Sequence, residues 1–334
     1  MEKDTRGINQ DQLLKMSGGY WTACALHAGV KLDIFTLLNN RSLTSGEITE
    51  KLHGDRRGIT MLLNALTAMD LLLKENNRYA NSSSSALFLS KDSPKYIGHI
   101  IIHHHHLMSS WAQLDQAVIK GKPVRTRSSY SDENLRESFL MGMFNLAMGV
   151  APRVADSIDL SGRHHMIDLG GGPGTYSIHF CLKNPQLKAT IYDLSTTKPF
   201  AEKIIKQFDL TDRVCFSDLN YLKEKIKGAF DVAWLSHILH GEGHEECRNI
   251  IRKAVSALEP GGVIIIHDFI LNNTMDGPLF PALFSLNMLV GTPKGQSYSE
   301  NQLMDMLTEA GLIDIQRIPF DGPNNSGIIK GIVS

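Results

Sequence analysis

Between residues 160 and 275 the chain alternates five short apolar runs with helical segments: HHMIDL (164–169), KATIYD (188–193), DRVCFSD (212–218), FDVAWLSH (230–237) and GGVIIIHDFI (261–270). Runs that are apolar at nearly every position, not at alternate ones, are strands covered on both faces. Strands spaced by helices are the parallel strands of an α/β sheet. This pattern predicts a Rossmann-like, doubly wound α/β domain. After it, SENQLMDMLTEAG (299–311) carries a capping-box spacing, Ser299 to Gln302, and a stop at Gly311. Two further runs, LIDIQRIPF and SGIIKGIVS, are joined by DGPNN, a connection too short for a crossover, so they predict an antiparallel hairpin at one sheet edge.

The first 95 residues read differently. GGYWTACALHAGVKLDIFTLL and RRGITMLLNALTAMDLLLK have apolar residues at helical spacing, and LTSGEITEKL opens on a capping signal, Thr44 or Ser45 before Glu47. LLLKENNRYANS reads as two short strands about an Asn-Asn turn. Helices followed by a hairpin form a winged-helix-like unit, here taken as all-helical apart from that wing. Its third helix offers Arg56 and Arg57 and then Met61, Leu62, Leu63, Leu66, Met69, Leu71 and Leu72. That surface is too apolar to face phosphates, which argues against a DNA-reading role, a winged-helix regulator being the more distant alternative, and predicts burial against a second copy, a homodimer. The division expected is 1–95 for this domain, 96–158 for a helical linker contributing to a substrate pocket, and 159–334 for the α/β domain. A Gly/Pro/Arg-rich break, GKPVRTRSS (121–129), interrupts the linker.

Composition narrows the class. A net charge of −1 gives no bulk attraction to nucleic acid or an anionic membrane. No apolar run approaches the roughly 20 residues of a membrane span. MEKDTRGINQ is polar and lacks a signal core, and Cys24, Cys181, Cys215 and Cys247 are scattered with no CxxC pair, so a reducing cytoplasm is expected and no metal cage.

MIDLGGGPGTYS (166–177) is a strand, a glycine turn and a helix start, with Gly170, Gly172 and Gly174 preceded by Asp168. A dinucleotide fingerprint needs G-x-G-x-x-G, and Thr175 stands at the last glycine's place. An acid at the strand end would repel a pyrophosphate. An acid beside exposed amides suits a ligand with an ammonium and a carboxylate, the amino-acid end of S-adenosylmethionine. Asp193 ends the second strand about 20 residues on, where a carboxylate accepts from ribose hydroxyls. Asp218 ends the third, placed for the adenine amino group with Leu219 against the ring. Three acids at successive strand ends lie along the carboxyl edge, where open α/β sheets bind ligands.

With these motifs in view, the chain resembles the class I S-adenosylmethionine-dependent small-molecule O-methyltransferases that carry an N-terminal winged-helix dimerisation domain. That group includes the plant caffeate, N-acetylserotonin and bacterial polyketide enzymes and is related to a bacteriochlorophyllide ring methyltransferase. The likeness runs through ALHAGVKLDIF, FNLAM (144–148), DLGGGPG, LSHILH (235–240), EPGG and SYSENQLMDMLTEAGL. It implies transfer of a methyl group to a hydroxyl of a flat, hydrophobic acceptor. His240 is implied as general base and Asp268 in IIHDFIL as its carboxylate. Leu194, Ser236 and His237 are implied as further cofactor contacts, and Trp111, Phe144, Met148, Phe284, Asn287 and Met288 as the acceptor wall. The family's pattern is broken twice, by Gly241 where an acid usually follows the base and by Ser297 where a third acid stands. Those losses leave open methylation of an activated carbon or a nitrogen.

Four consecutive histidines, His103 to His106, remain. On a helix successive residues point about 100° apart, so only His103 and His106 share a face and a mononuclear metal site is geometrically poor. They are expected to be part solvated and part packed, with one or two near the acceptor beside Leu107, Met108 and Trp111.

Overall fold

A computed structural model describes residues 7–126 and 133–334, and the chain divides into two compact units, Met1–His106 and Leu107–Ser334. The break expected at 121–129 lies partly outside the described residues.

The first unit contains α1 (Gln10–Gly18), α2 (Tyr20–Lys31), α3 (Ile34–Leu37), β1 (Leu43–Thr44), α4 (Ser45–Leu52), α5 (Arg56–Ala68), β2 (Leu72–Glu75), β3 (Arg78–Asn81), α6 (Ser83–Phe88) and most of α7 (Gly98–Trp111). Thr44 is the N-cap of α4 and forms a full capping box with Glu47. Asn76 and Asn77, both at positive φ, turn β2 into β3. The unit is not all-helical beyond its wing. Leu43 and Thr44 pair with Tyr79 and Arg78, making a three-stranded sheet in the order β1-β3-β2. Its core is Ile34, Phe35, Ile48, Leu63, Leu66, Leu72 and Tyr79. By contrast α1 buries no residue, and Leu13, Leu14, Met16, Tyr20 and Trp21 (68% exposed) form an uncovered apolar face.

The second unit continues with α8 (Leu114–Lys120), α9 (Glu133–Met148), α10 (Ala151–Ser157), β4 (His165–Leu169), α11 (Thr175–Lys183), β5 (Lys188–Asp193), α12 (Lys198–Gln207), β6 (Val214–Asp218) and β7 (Phe230–Ser236). It ends with α13 (His244–Val255), β8 (Leu258–Leu271), α14 (Leu279–Gly291), β9 (Tyr298–Ser299), α15 (Glu300–Glu309), β10 (Leu312–Ile318) and β11 (Ser326–Val333). The sheet order is β10-β11-β8-β7-β4-β5-β6, with β9 added beside β8. Strands β4 to β8 are parallel and β10 and β11 antiparallel, the expected hairpin edge. The segment read as a separate linker, 96–158, is divided instead. α7 starts in the first unit, while Val150, Val154 and Ala155 belong to the core of the second, where α9 and α10 pack on α11.

Helices on both faces explain the near-continuous apolar strands. One face of the sheet is closed by Ile250, Ile251, Leu303 and Leu307, the other by Val154, Ile178, Phe180 and Ile204 around Trp234. Each such side chain contributes about 1.5–3 kcal/mol by leaving water. Among the described residues no helix is long and apolar enough to cross a membrane.

Candidate active site

The carboxyl ends of β4, β5 and β6 bring the three acids onto one rim. β4 ends at Leu169 and the chain turns through Gly170–Gly174 into α11. Gly172 holds φ +56° with open space where a Cβ would project, and Gly174 holds φ +79° with a Cβ position only 2.3 Å from Ile191 Cδ1. The first leaves room for a ligand against the backbone, and the second lets α11 press onto β5.

Asp168 lies beneath this turn and is 1% exposed. Its Oδ2 accepts from Ser177 Oγ at 2.7 Å, while its Oδ1 is buried with no hydrogen-bond partner. Burial pushes the carboxyl up to about 7; the charge of Asp193 acts in the same direction and the Ser177 hydroxyl against it. Asp193, at the end of β5, is more engaged than expected from the sequence. Its Oδ1 accepts from Leu194 N at 2.7 Å and Thr197 Oγ1 at 3.2 Å, and its Oδ2 from Gly172 N at 2.8 Å. One lone pair on Oδ2 therefore stays open for a ribose hydroxyl, not both oxygens. Asp218 is exposed opposite Asp193 in register, and Leu219 is buried with its N–H on Asp193 O at 2.9 Å. The orphaned Asp168 oxygen fits the ammonium of S-adenosylmethionine, and the open space over Gly172, whose own N–H is taken by Asp193, leaves room for its amino-acid end against the turn.

The second half of the site grows from β7 and β8. β7 ends at Ser236, whose Oγ lies 3.1 Å from His267 Nδ1. His237 follows in the left-handed region at φ +54°, with its N–H on His267 O at 2.8 Å. A short 3₁₀ turn, Leu239–Gly241, then carries His240. Pairing of β7 with β8 sets Ser236 against His267, and the next residue of β8, Asp268, points to the opposite face. Asp268 Oδ1 lies 2.7 Å from His240 Nδ1 and 3.4 Å from His237 Nδ1, and accepts from Phe269 N at 2.8 Å. Burial would push Asp268 up, but the two imidazoles outweigh it and hold the carboxyl well below the usual range.

Around His240 stand aromatic rings: Phe284 edge-on at 4.7 Å and Phe269 parallel at 6.1 Å, with Phe280 at 4.9 Å from Phe269. On α14, Asn287 accepts from Trp111 Nε1 at 3.1 Å, and Met288 is buried. Phe144, expected in the acceptor wall, packs instead on the core cluster around Trp234; Met148 is half-buried on α9. Ser297 is fully buried, its Oγ without a partner and its N–H on Ser285 Oγ at 3.0 Å.

Of the four histidines, His103 is buried, His104 exposed, and His105 sits 3.3 Å from Lys31 Nζ with its ring edge-on to His27. Three site residues escaped the sequence reading. Ser177 carried a weak signal, a hydroxyl in the first turn of the helix after the glycine turn. Phe280, four residues before Phe284, carried a helical-face signal. Phe269 carried none, since its ring meets His237, Phe280 and Phe284 only once β8 and α14 have packed.

Comparisons with known proteins identify the family. Residues 111–313 match the O-methyltransferase domain model and residues 14–91 the O-methyltransferase dimerisation domain model. The 3-hydroxy-5-methyl-1-naphthoate 3-O-methyltransferase of Streptomyces sahachiroi is 28% identical over 96% of this chain and 94% of its own. The tetracenomycin polyketide synthesis 8-O-methyl transferase of Streptomyces glaucescens is 30% identical over 95% of each. Among solved structures, an O-methyltransferase family protein from Burkholderia thailandensis superposes with a TM-score of 0.88 at 28% identity, covering 98% of this chain and 99% of that one. The chain belongs to the O-methyltransferase family, its dimerisation domain ahead of its transferase domain, and is an S-adenosylmethionine-dependent methyltransferase.

Proposed function

We propose that the enzyme methylates a hydroxyl on a flat aromatic molecule, with His240 as general base and Asp268 as the residue that holds it. The observation that carries this reading is the 2.7 Å contact between His240 Nδ1 and Asp268 Oδ1 inside a box of phenylalanine rings.

S-adenosylmethionine supplies a methyl group already bonded to a positively charged sulfur leaving group. The chain then has two tasks, to align an acceptor oxygen and to take its proton. Alignment is worth roughly 7–11 kcal/mol and a positioned base about 10²- to 10⁴-fold. Asp268, ionised and buried, accepts the Nδ1–H of His240 and so leaves the Nε2 lone pair free to accept the hydroxyl proton. The same carboxylate stabilises the imidazolium that results. A base oriented in this way suits a hydroxyl, and an amine or activated carbon has less need of it. Phe269, Phe280 and Phe284 offer faces and edges for an aromatic acceptor, and of the two relatives named above one acts by its name on a hydroxynaphthoate and the other is an 8-O-methyl transferase of tetracenomycin polyketide synthesis. The Trp111–Asn287 pair closes the wall on α14. On the donor rim, Asp168, Gly170, Gly172, Gly174, Asp193, Leu194, Asp218, Leu219, Ser236 and His237 are assigned to the cofactor.

The uncovered apolar face of α1 and the start of α2 is assigned to a homodimer contact, in keeping with the dimerisation-domain match. The free cysteines fit a reducing cytoplasm.

The deciding experiment is His240→Ala assayed on a panel of phenols. Turnover is expected to fall by about 10²-fold or more with donor affinity near normal. Undiminished turnover would remove the base assignment.

A further inference from the structure

We propose that His237, His240 and Asp268 form a three-ligand site for a divalent zinc-type cation, and that its occupancy switches methyl transfer off. The binding half stands on geometry alone, while the switch rests on His240 being the base.

The ligand atoms of these three side chains lie within 4.8 Å of one another, and among the described residues no other group of three His, Cys, Asp or Glu does so. Both Nδ1 atoms face one oxygen, Asp268 Oδ1, at 3.4 Å from His237 and 2.7 Å from His240. Two imidazoles and a carboxylate are the donor set of open zinc sites, with metal–ligand distances near 2.0–2.2 Å; adjacent ligand atoms of a tetrahedral centre are then about 3.3 Å apart. The His237 contact already has this spacing, and the His240 contact needs to open by about half an ångström. The scaffold is braced for it. His237 is held at a φ that disfavours a bulky residue, by its N–H on His267 O and by ring contacts to His267 at 4.6 Å and Phe269 at 4.5 Å. Asp268 is oriented by the Phe269 N–H. The histidine side chains keep 26% and 13% of their surface open while Asp268 keeps 4%, so a cation meets the imidazoles first and the carboxylate last.

Occupancy and catalysis exclude each other for a tautomeric reason. A neutral imidazole has one lone pair and one N–H. With Asp268 accepting from Nδ1, the lone pair is at Nε2 and faces the acceptor. With a metal on Nδ1, the proton is at Nε2, which then donates and cannot accept. His237 and His240 stand at His-x-x-His spacing, and the third ligand, Asp268, joins them only when β8 pairs with β7.

Cobalt(II) added to the full chain after chelator dialysis tests the site directly. Visible d–d bands saturating at one equivalent per chain are expected. They should be lost in His237→Asn, a residue that tolerates the left-handed backbone, and kept in a His104→Gln, His105→Gln double variant. Absent bands, or bands kept in His237→Asn and lost in the double variant, would mean adventitious binding at surface histidines and overturn the proposal. Zinc at saturation should lower turnover about tenfold or more, reversibly with chelator; full occupancy with undiminished turnover overturns the switch. The cobalt bands report the site whether or not any phenol is methylated, so its failure is distinct from failure of the base assignment.

Discussion

Asp168 and Asp268 are both buried carboxylates, yet their surroundings set them to opposite states. Burial raises Asp168 to about 7 from 3.8. Between those values the folded chain keeps a proton that the unfolded chain has released. Stability of the ligand-free protein therefore falls as pH rises from about 4 to about 7 and levels off above, a loss on the order of 4 kcal/mol. A ligand ammonium favours the ionised form, so donor binding below pH 7 should expel a proton. Calorimetry in buffers of different ionisation enthalpy should show that release, with affinity rising up to about tenfold per pH unit and flattening above 7; pH-independent affinity would contradict the pairing. Asp268 stays ionised far into acid, so Asp268→Asn should change no protonation step other than that of the base. It removes the acceptor that fixes the His240 tautomer, and kcat should fall about 10²- to 10⁴-fold with donor affinity retained. Asp168, Asp193 and Asp218 were legible because they stand at the ends of apolar runs, and Asp268 only through the family resemblance. Their partners were not: Ser177, Leu194 and Thr197 meet Asp168 and Asp193 only once the turns have packed.

At the scale of elements, the glycine turn separates two kinds of constraint. Gly172→Ala meets no atom but must hold a left-handed φ in the place left for the ligand; about 1 kcal/mol of stability should be lost, together with most donor affinity. Gly174→Ala drives a methyl against Ile191 on β5, and denaturant unfolding should show a larger loss, about 1–3 kcal/mol or more. If the two variants were equally unstable and equally able to bind donor, the division of roles would be wrong. Capped helices and the five covered strands were readable from spacing alone. β1 was not, since two residues carry no periodicity and Leu43 and Thr44 become a strand only by pairing with β3. His103 to His106 also show that limit. Helical geometry fans them apart, but which of them packs against His27 and Lys31 depends on where α2 lies.

For the whole molecule, an apolar face that buries nothing is the feature one chain alone does not explain. Trp21→Glu combined with Leu14→Lys should convert a dimer to monomer in sedimentation velocity and make the melting temperature independent of protein concentration; an unchanged sedimentation coefficient would place the contact elsewhere. Its apolar character was readable in the sequence, but its exposure was not. The hairpin edge has a consequence of its own. β8 presents His267 to one side and Asp268 to the other, and its second neighbour is β11, where Ile328 and Gly327 stand opposite those two residues. Sliding β8 by one position would bury a carboxylate in the core and turn a neutral ring toward the acceptor. Seating β11 on β8 therefore pins the register that decides which of two adjacent side chains serves the chemistry.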